Sequence, residues 1–237
     1  MGIPVILMVE IDQNEMKKMA AEKAVETFVK DGMTVGLGTG STAYFVILKV
    51  AELVKQGYDL KCVATSNATE RLALENGITI VNLNEVDHID VTIDGADEVD
   101  PSMNLIKGLG GALLHEKVVA AASVEEIIVV DESKLVEKIG TRVSLPVEVL
   151  SFGHEHTAYG LKRQGCEPVL RMKGNEPYMT EGGNLIYDCK FEKGIDYLAF
   201  TESALDRIPG VVECGLFINM VRAVVIAHSN GTVEIRE

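Results

Sequence analysis

Thr34-Val35-Gly36-Leu37-Gly38-Thr39-Gly40-Ser41-Thr42 is the stretch on which the fold turns. Thr34 to Leu37 reads as a short buried strand, and it passes directly into a run of glycines and hydroxyl side chains. A helix is expected from about Ala43 to Gln56, stopped by Gly57. A strand that enters a helix through a glycine turn starts a β-α unit, so the flanking sequence must show whether such units repeat.

They do. Upstream, Asp12-Gln13-Asn14-Glu15 is a helix-opening signal, and Met16, Ala20, Ala24 and Phe28 recur at every fourth position before Asp31-Gly32. Downstream, strands are expected at 60–64, 78–81, 89–93 and 127–130, with helices at 69–75 and 113–122 between them. Short connections between alternating strands and helices imply parallel pairing. The fold class is therefore α/β, with a doubly wound, mostly parallel Rossmann-like sheet whose ligands bind at the carboxyl ends of the strands. After Gly140 the order changes to β-α-β-β-α-β: strands at 143–149, 167–171, 184–189 and 211–216, helices at 155–164 and 202–208. That order predicts a second, smaller ferredoxin-like α+β domain. A pair at 223–227 and 233–235, joined by Ser229-Asn230-Gly231, reads as a hairpin returning to the first domain. The expected division is 1–140 plus about 219–237 for the Rossmann-like catalytic domain, and about 141–218 for the small domain.

The composition narrows the function. With 237 residues, 47% hydrophobic and 24% charged, the chain is long and apolar enough for a sizeable core. Its net charge of −14 repels phosphate backbones and argues against nucleic-acid binding. The apolar run Ile3 to Val9 falls far short of the roughly 20 residues that span a bilayer, and no basic residue precedes it as in a signal peptide. Residues 1–12 read as an extension. Cys62, Cys166, Cys189 and Cys214 lie far apart with no CxxC spacing, so they read as free thiols in a reducing cytosol. A cytoplasmic location with no membrane partner follows.

Three segments carry candidate chemistry. The glycine turn offers backbone N–H groups at a helix start, with Ser41 and Thr42 as hydroxyl donors, which suits one phosphate group. No Lys follows as in a Walker loop, and the next strand ends in Thr65-Ser66 where a dinucleotide site wants an acid. The second segment, Asp90-Val91-Thr92-Ile93-Asp94-Gly95-Ala96-Asp97-Glu98-Val99-Asp100, crowds five acids at one strand end. Crowded carboxylates raise one another's pKa unless cations or chemistry compensate. A solvated loop accounts for Asp100 and extends to Glu98, but not for Asp94 directly after an apolar strand. No metal is expected, because the calcium-loop spacing fails and His88 is the only nearby His. The third segment puts Lys107 on the glycine loop Gly108-Leu109-Gly110-Gly111, with Glu116 in the early turns of the helix behind it. Lys134, in Asp131-Glu132-Ser133-Lys134, supplies a second cation near the strand ends. His154-Glu155-His156 reads as a helix start, not a metal pair.

Taken together, Gly38-Thr39-Gly40-Ser41-Thr42, Asp94-Gly95-Ala96-Asp97-Glu98, Lys107-Gly108-Leu109-Gly110, His115-Glu116-Lys117, Asp131-Glu132-Ser133-Lys134 and Leu145-Pro146-Val147-Glu148-Val149 closely resemble the type A ribose-5-phosphate isomerase family. The similarity runs from about Asn14 onward. It implies interconversion of D-ribose 5-phosphate and D-ribulose 5-phosphate in the non-oxidative pentose phosphate pathway, without cofactor, by a homodimer. By the same resemblance, Glu116 is the proton-transferring base, and Asp94, Asp97 and Lys107 are its catalytic companions. Thr39, Gly40, Ser41, Thr42, Gly95, Ala96, Gly108, Leu109, Gly110 and Lys134, together with Asp94, Asp97 and Lys107, are substrate contacts. Asp94 suits the ring-opening proton. Leu109 and His115 depart from a pattern that usually has Gly and Arg there. Two other readings compete. A non-catalytic sugar-phosphate sensor would lose the base and carry a DNA-binding module, and a nicotinamide-dependent dehydrogenase would need the missing ribose acid.

Overall fold

The computed structural model describes residues 11–237, so most of the extension expected over residues 1–12, including the Ile3 to Val9 run, lies outside the described residues. The chain runs through α1 (Gln13–Phe28), β1 (Thr34–Leu37), α2 (Ser41–Lys55), β2 (Lys61–Ala64), α3 (Asn67–Glu75) and β3 (Thr79–Ile80). It continues through β4 (Ile89–Asp94), β5 (Glu98–Val99), β6 (Leu105–Ile106), α4 (Leu113–Ala121) and β7 (Ser123–Asp131). Next come β8 (Leu145–Val149), α5 (His154–Lys162), β9 (Glu167–Leu170), β10 (Met172–Lys173), β11 (Glu176–Pro177) and β12 (Leu185–Lys190). The remaining elements are α6 (Leu198–Asp206), β13 (Val211–Cys214), β14 (Leu216–Phe217), β15 (Ala223–Ala227) and β16 (Val233–Arg236).

The large sheet has seven strands in the order β16-β15-β7-β4-β1-β2-β3. All its pairings are parallel except β15 with β16. Strand alternation sorts its side chains to two faces. Val35, Leu37, Val91, Ile93, Ile127 and Val129 meet α1 and α2 in one core, which α1 enters through small residues, Ala20, Ala21 and Ala24. Ile128, Val130, Val224 and Ile226 meet Leu105, Ala120 and Phe217 on the other face. The Asp12 side chain caps α1 by accepting from Glu15 N at 2.9 Å, as the sequence signal predicts.

The small sheet has the order β13-β8-β12-β9, antiparallel throughout, which is the ferredoxin-like arrangement. Its core is Leu145, Val147, Val149, Leu161, Tyr187, Cys189 and Leu205. The hairpin β15–β16 does return to the large sheet, with β15 beside β7. Three details differ from expectation. Helix α6 starts at Leu198, four residues before the expected 202. The strand expected over 211–216 breaks at Gly215, and β14 leaves to join β6 and β5 in a separate three-stranded sheet. A Cβ at Gly215 would lie 2.3 Å from the Lys107 carbonyl, so only glycine fits there. Finally, β10 and β11 form an additional short hairpin.

Candidate active site

From β1 the chain proceeds to β2 and β3 on one side of the large sheet, and from β4 to β7 on the other. A crevice opens at such a switch point, beyond the carboxyl ends of the two central strands. The glycine turn follows β1 there, and Asp94 ends β4. The two fit because Gly38 has no side chain: a Cβ would lie 1.9 Å from Asp94 Oδ1. Gly40 sits at φ +108°, a conformation that suits glycine, and α2 starts at Ser41, two residues earlier than expected. Ser41 and Thr42 therefore occupy the first turn, where backbone N–H groups have no helical partner.

Thr39 is committed elsewhere. Its N–H donates to Asp94 Oδ1 at 3.1 Å, and its hydroxyl lies 2.7, 2.8 and 3.2 Å from those of Thr65, Ser66 and Thr69. A cation compensates at the helix start: Lys17 of α1 donates to Ser41 Oγ at 3.0 Å and lines the same pocket. Sequence reasoning missed Lys17, since one Lys on an amphipathic helix has the signature of a solvated face.

Lys107 follows β6 and is almost wholly buried. Its Nζ lies 2.9 Å from Asp94 Oδ2 and 3.6 Å from Glu116 Oε1, and it donates to Gly95 O at 2.5 Å. Burial pulls its pKa down, but the carboxylates of Asp94, Glu116 and Glu126 more than offset this, so the pKa is raised and the ammonium stays charged. Glu116, on the pocket side of α4, is 6% exposed, and its Oε2 has no partner among the described residues. Burial pushes its carboxyl up to about 8 against the opposing pull of Lys107, and the charges of Asp94 and Asp97 add to the rise. A carboxyl poised near neutrality with one free oxygen can both take and return a proton.

The resulting pocket holds about 110 Å³ and is lined by Lys17, Thr39, Gly40, Ser41, Thr42, Gly95, Ala96, Asp97, Lys107, Gly108, Gly110, Glu116 and Lys134. Most of the residues singled out from sequence thus converge. Asp94 does not line it. Both its oxygens are engaged, Oδ1 by Thr39 N and Gly95 N and Oδ2 by Lys107. Asp97 does line the pocket; burial raises its pKa, and Leu109 N donates to its Oδ2 at 3.0 Å. Leu109 reaches the site only through that N–H, and its side chain is exposed.

The acidic segment also differs from expectation at two positions. Asp90 lies at the opening end of β4, accepting from Thr34 N at 2.7 Å, and Asp100 accepts from Ser102 N and Asn104 N in its own turn, so of the five acids only Asp97 lines the pocket, with Asp94 directly behind it. Glu98 is fully buried, not solvated: it accepts from the N–H groups of Gly140, Arg142 and Val143 at 2.5, 2.6 and 2.8 Å. His154 opens α5 and lies 2.8 Å from Tyr187 Oη, as expected of a helix start. Asp206, Glu213 and Cys214 bring possible metal ligands together, but the Lys117 ammonium already sits 2.8 Å from Glu213 Oε1 and from Cys214 O. All four cysteines are free and buried.

A doubly wound α/β protein whose switch-point crevice holds a buried Lys–Glu pair beside a helix start, with Thr65-Ser66 after β2 where dinucleotide binders have an acid, belongs to the acid–base sugar-phosphate class and not to the dinucleotide binders. Residues 61–231 match ribose 5-phosphate isomerase A (phosphoriboisomerase A). The chain is 49% identical over 219 residues to a ribose-5-phosphate isomerase A of Bacillus mycoides, covering 92% of this chain and 98% of that one. It is 50% identical over 222 residues to that of Gloeobacter violaceus, covering 93% and 96%. The solved ribose 5-phosphate isomerase of Plasmodium falciparum superposes with a TM-score of 0.92 at 39% identity, over 94% of this chain and 98% of that one. A D-ribose-5-phosphate isomerase in complex with phospho-erythronic acid gives 0.92 at 40% identity, over 96% and 100%. The chain belongs to the ribose 5-phosphate isomerase A family.

Proposed function

We propose that the protein interconverts D-ribose 5-phosphate and D-ribulose 5-phosphate through an enediolate, with Glu116 as the base. The observation that carries this is the unpartnered Glu116 Oε2 in a pocket shared with the Lys107 ammonium and the start of α2. The phosphate rests at the α2 start, held by the N–H groups there, Ser41, Thr42 and Lys17, with Lys134 also lining the pocket. That anchor places the sugar's reacting carbons over Glu116, so binding energy at the remote end orients the chemistry. Asp97, which reaches the pocket, assists ring opening. Glu116 takes the proton from C2, and Lys107, kept charged by Asp94, stabilises the negative charge on the enediolate oxygen. Glu116 then returns the proton to C1 while the proton of the C2 hydroxyl passes to O1, which leaves the ketose carbonyl at C2. No cofactor enters this scheme.

The same reading covers the setting. The chain divides at about residues 140 and 219 into the catalytic unit, which includes the β15–β16 hairpin, and the small unit between. The four free thiols support a reducing, cytoplasmic compartment, and the proposed substrate puts the reaction in pentose phosphate metabolism. No helix among the described residues is long and apolar enough to cross a membrane. A homodimer is supported by a groove of about 940 Å³ along α5, where Leu150, Phe152 and Tyr159 stand exposed. A coupled assay with ribose 5-phosphate, repeated with chelator and with unphosphorylated ribose, tests the activity. Turnover unchanged by chelator and at least about a hundredfold lower catalytic efficiency on ribose are expected. Equal efficiency on the two sugars would remove the phosphate anchor from the scheme.

A further inference from the structure

Arg171 lies between β9 and β10, outside every segment described above as part of the pocket. Asp188 of β12 holds its guanidinium, accepting from Nε at 2.9 Å and from Nη2 at 2.5 Å. The other terminal nitrogen, Nη1, donates to two consecutive carbonyls of the Lys107 loop, Gly108 O at 3.0 Å and Leu109 O at 3.1 Å. Tyr178 backs the arrangement, with its ring 5.9 Å from the guanidinium carbon. Its hydroxyl fills the space that a side chain at Gly111 would take. A planar fork with five donors can satisfy a carboxylate on one edge and carbonyls on another, which an ammonium cannot do.

The effect falls on the far side of the loop. Its peptide bonds are trans, and a planar trans peptide points its N–H away from the carbonyl before it. With carbonyls 108 and 109 turned to Arg171, the N–H groups of Leu109 and Gly110 are turned toward the pocket. The first meets Asp97 Oδ2 at 3.0 Å. The second has no acceptor among the described residues, and Gly110 lines the pocket together with Lys107 and Glu116. A backbone donor fixed in direction before the reaction stabilises developing negative charge without reorganising.

We propose that Arg171 is a positioning residue of the isomerisation: its grip on the Gly108 and Leu109 carbonyls aims the Gly110 N–H at the enediolate oxygen and the Leu109 N–H at Asp97. This rests on the isomerase reading above. It makes the small sheet a working part of the active site, since both Arg171 and its anchor Asp188 belong to that side of the molecule. Arg171→Lys keeps the charge and loses the fork, Arg171→Ala loses both, and Asp188→Asn loosens the anchor while leaving Arg171 in place.

The test measures kcat and KM for ribose 5-phosphate, inhibition by phospho-erythronic acid (whose planar carboxylate mimics the enediolate), and thermal unfolding. Expected for Arg171→Lys is a fall in kcat of about tenfold to a hundredfold with KM changed less than about threefold. Inhibition by phospho-erythronic acid should weaken in parallel with kcat, and millimolar guanidinium should restore part of the kcat of Arg171→Ala. Asp188→Asn should fall between Arg171→Lys and the unsubstituted protein, and serves as the readout if the Arg171 variants do not fold. Unchanged kcat in a folded Arg171→Lys protein would overturn the proposal. So would a loss in Asp188→Asn confined to unfolding temperature, which would assign the pair to the scaffold. No turnover by the unsubstituted protein would instead remove the isomerase reading itself.

Discussion

Glu98 and Glu116 are both buried carboxyl groups, yet the protein treats them in opposite ways. Glu98 has three backbone N–H donors, from Gly140, Arg142 and Val143, and so pins the segment that leads into the small sheet. Buried Glu148 accepts on Oε1 from Thr180 and Asn184, each at 2.9 Å. Glu116 has one oxygen near Lys107 and one with no partner, and Glu126 has no partner for either oxygen among the described residues. A buried charge that is fully hydrogen-bonded contributes to the scaffold, whereas one left short of partners is costly and keeps its reactivity. Burial alone does not tell the joint carboxyl Glu98 from the pocket carboxyl Glu116; their partners do.

The largest expected effect lies on the pocket side of this contrast. Glu116→Gln keeps the shape and removes the base, so turnover should fall by about a hundredfold or more while ribose 5-phosphate binding, measured by calorimetry, and thermal unfolding stay near those of the unsubstituted protein. Near-normal turnover in the folded variant would erase the distinction. On the joint side the effect should appear in stability alone. Glu98→Ala takes the acceptor from three backbone N–H groups, that of Gly140 buried and those of Arg142 and Val143 part-buried, and should cost about 2 kcal/mol in denaturant unfolding, with the kcat of the folded fraction retained. A smaller step concerns pH. Because burial pushes Glu116 up to about 8, and the base must be ionised to act, kcat/KM should drop about tenfold between pH 7 and pH 6. A flat profile there would count against Glu116 as the titrating base.

The smallest effect belongs to Glu126. It pairs with Thr92 across β4 and β7 and shares a sheet face with Asp94. Burial raises its pKa well above the ordinary 4.5, with Asp94 adding to the rise and Lys107 opposing it. Below 4.5 folded and unfolded chains both hold this proton. As the pH climbs past 4.5 the unfolded chain releases it and the folded chain does not, so stability is lost with rising pH until the folded group ionises. Glu126→Gln should therefore raise the unfolding temperature relative to the unsubstituted protein, by an amount that grows from pH 5 to pH 8. A constant difference across that range would count against a retained proton.

The strands of the large sheet and the glycine turn were legible because buried parallel strands and helix starts leave runs and punctuation in the sequence. Asp94, Lys107 and Glu116 were legible because each stands against an apolar or glycine-rich background that makes a charge conspicuous. The three-stranded sheet and the β10–β11 hairpin were not, since two-residue strands have no period to detect. Lys17 and Arg171 were hidden for a related reason: each is one cation among many, and only the chain's return in space gives it a partner. Glu98 was misread because its three donors come from more than forty residues downstream. The engagement of both Asp94 oxygens had the same origin, in contacts that spacing does not encode.

The hairpin β15–β16 has a consequence for how the molecule is made. Strand β7 pairs with β4 on one side and with β15 on the other, and about ninety residues of chain separate β7 from β15. During synthesis, then, β7 is an open strand edge until the whole small sheet has left the ribosome. An apolar edge such as Ile127-Ile128-Val129-Val130 invites pairing with another nascent chain during that interval. The order of elements along the gene thus sets a period of vulnerability that the finished fold no longer shows, and its length is set by the translation of the small sheet.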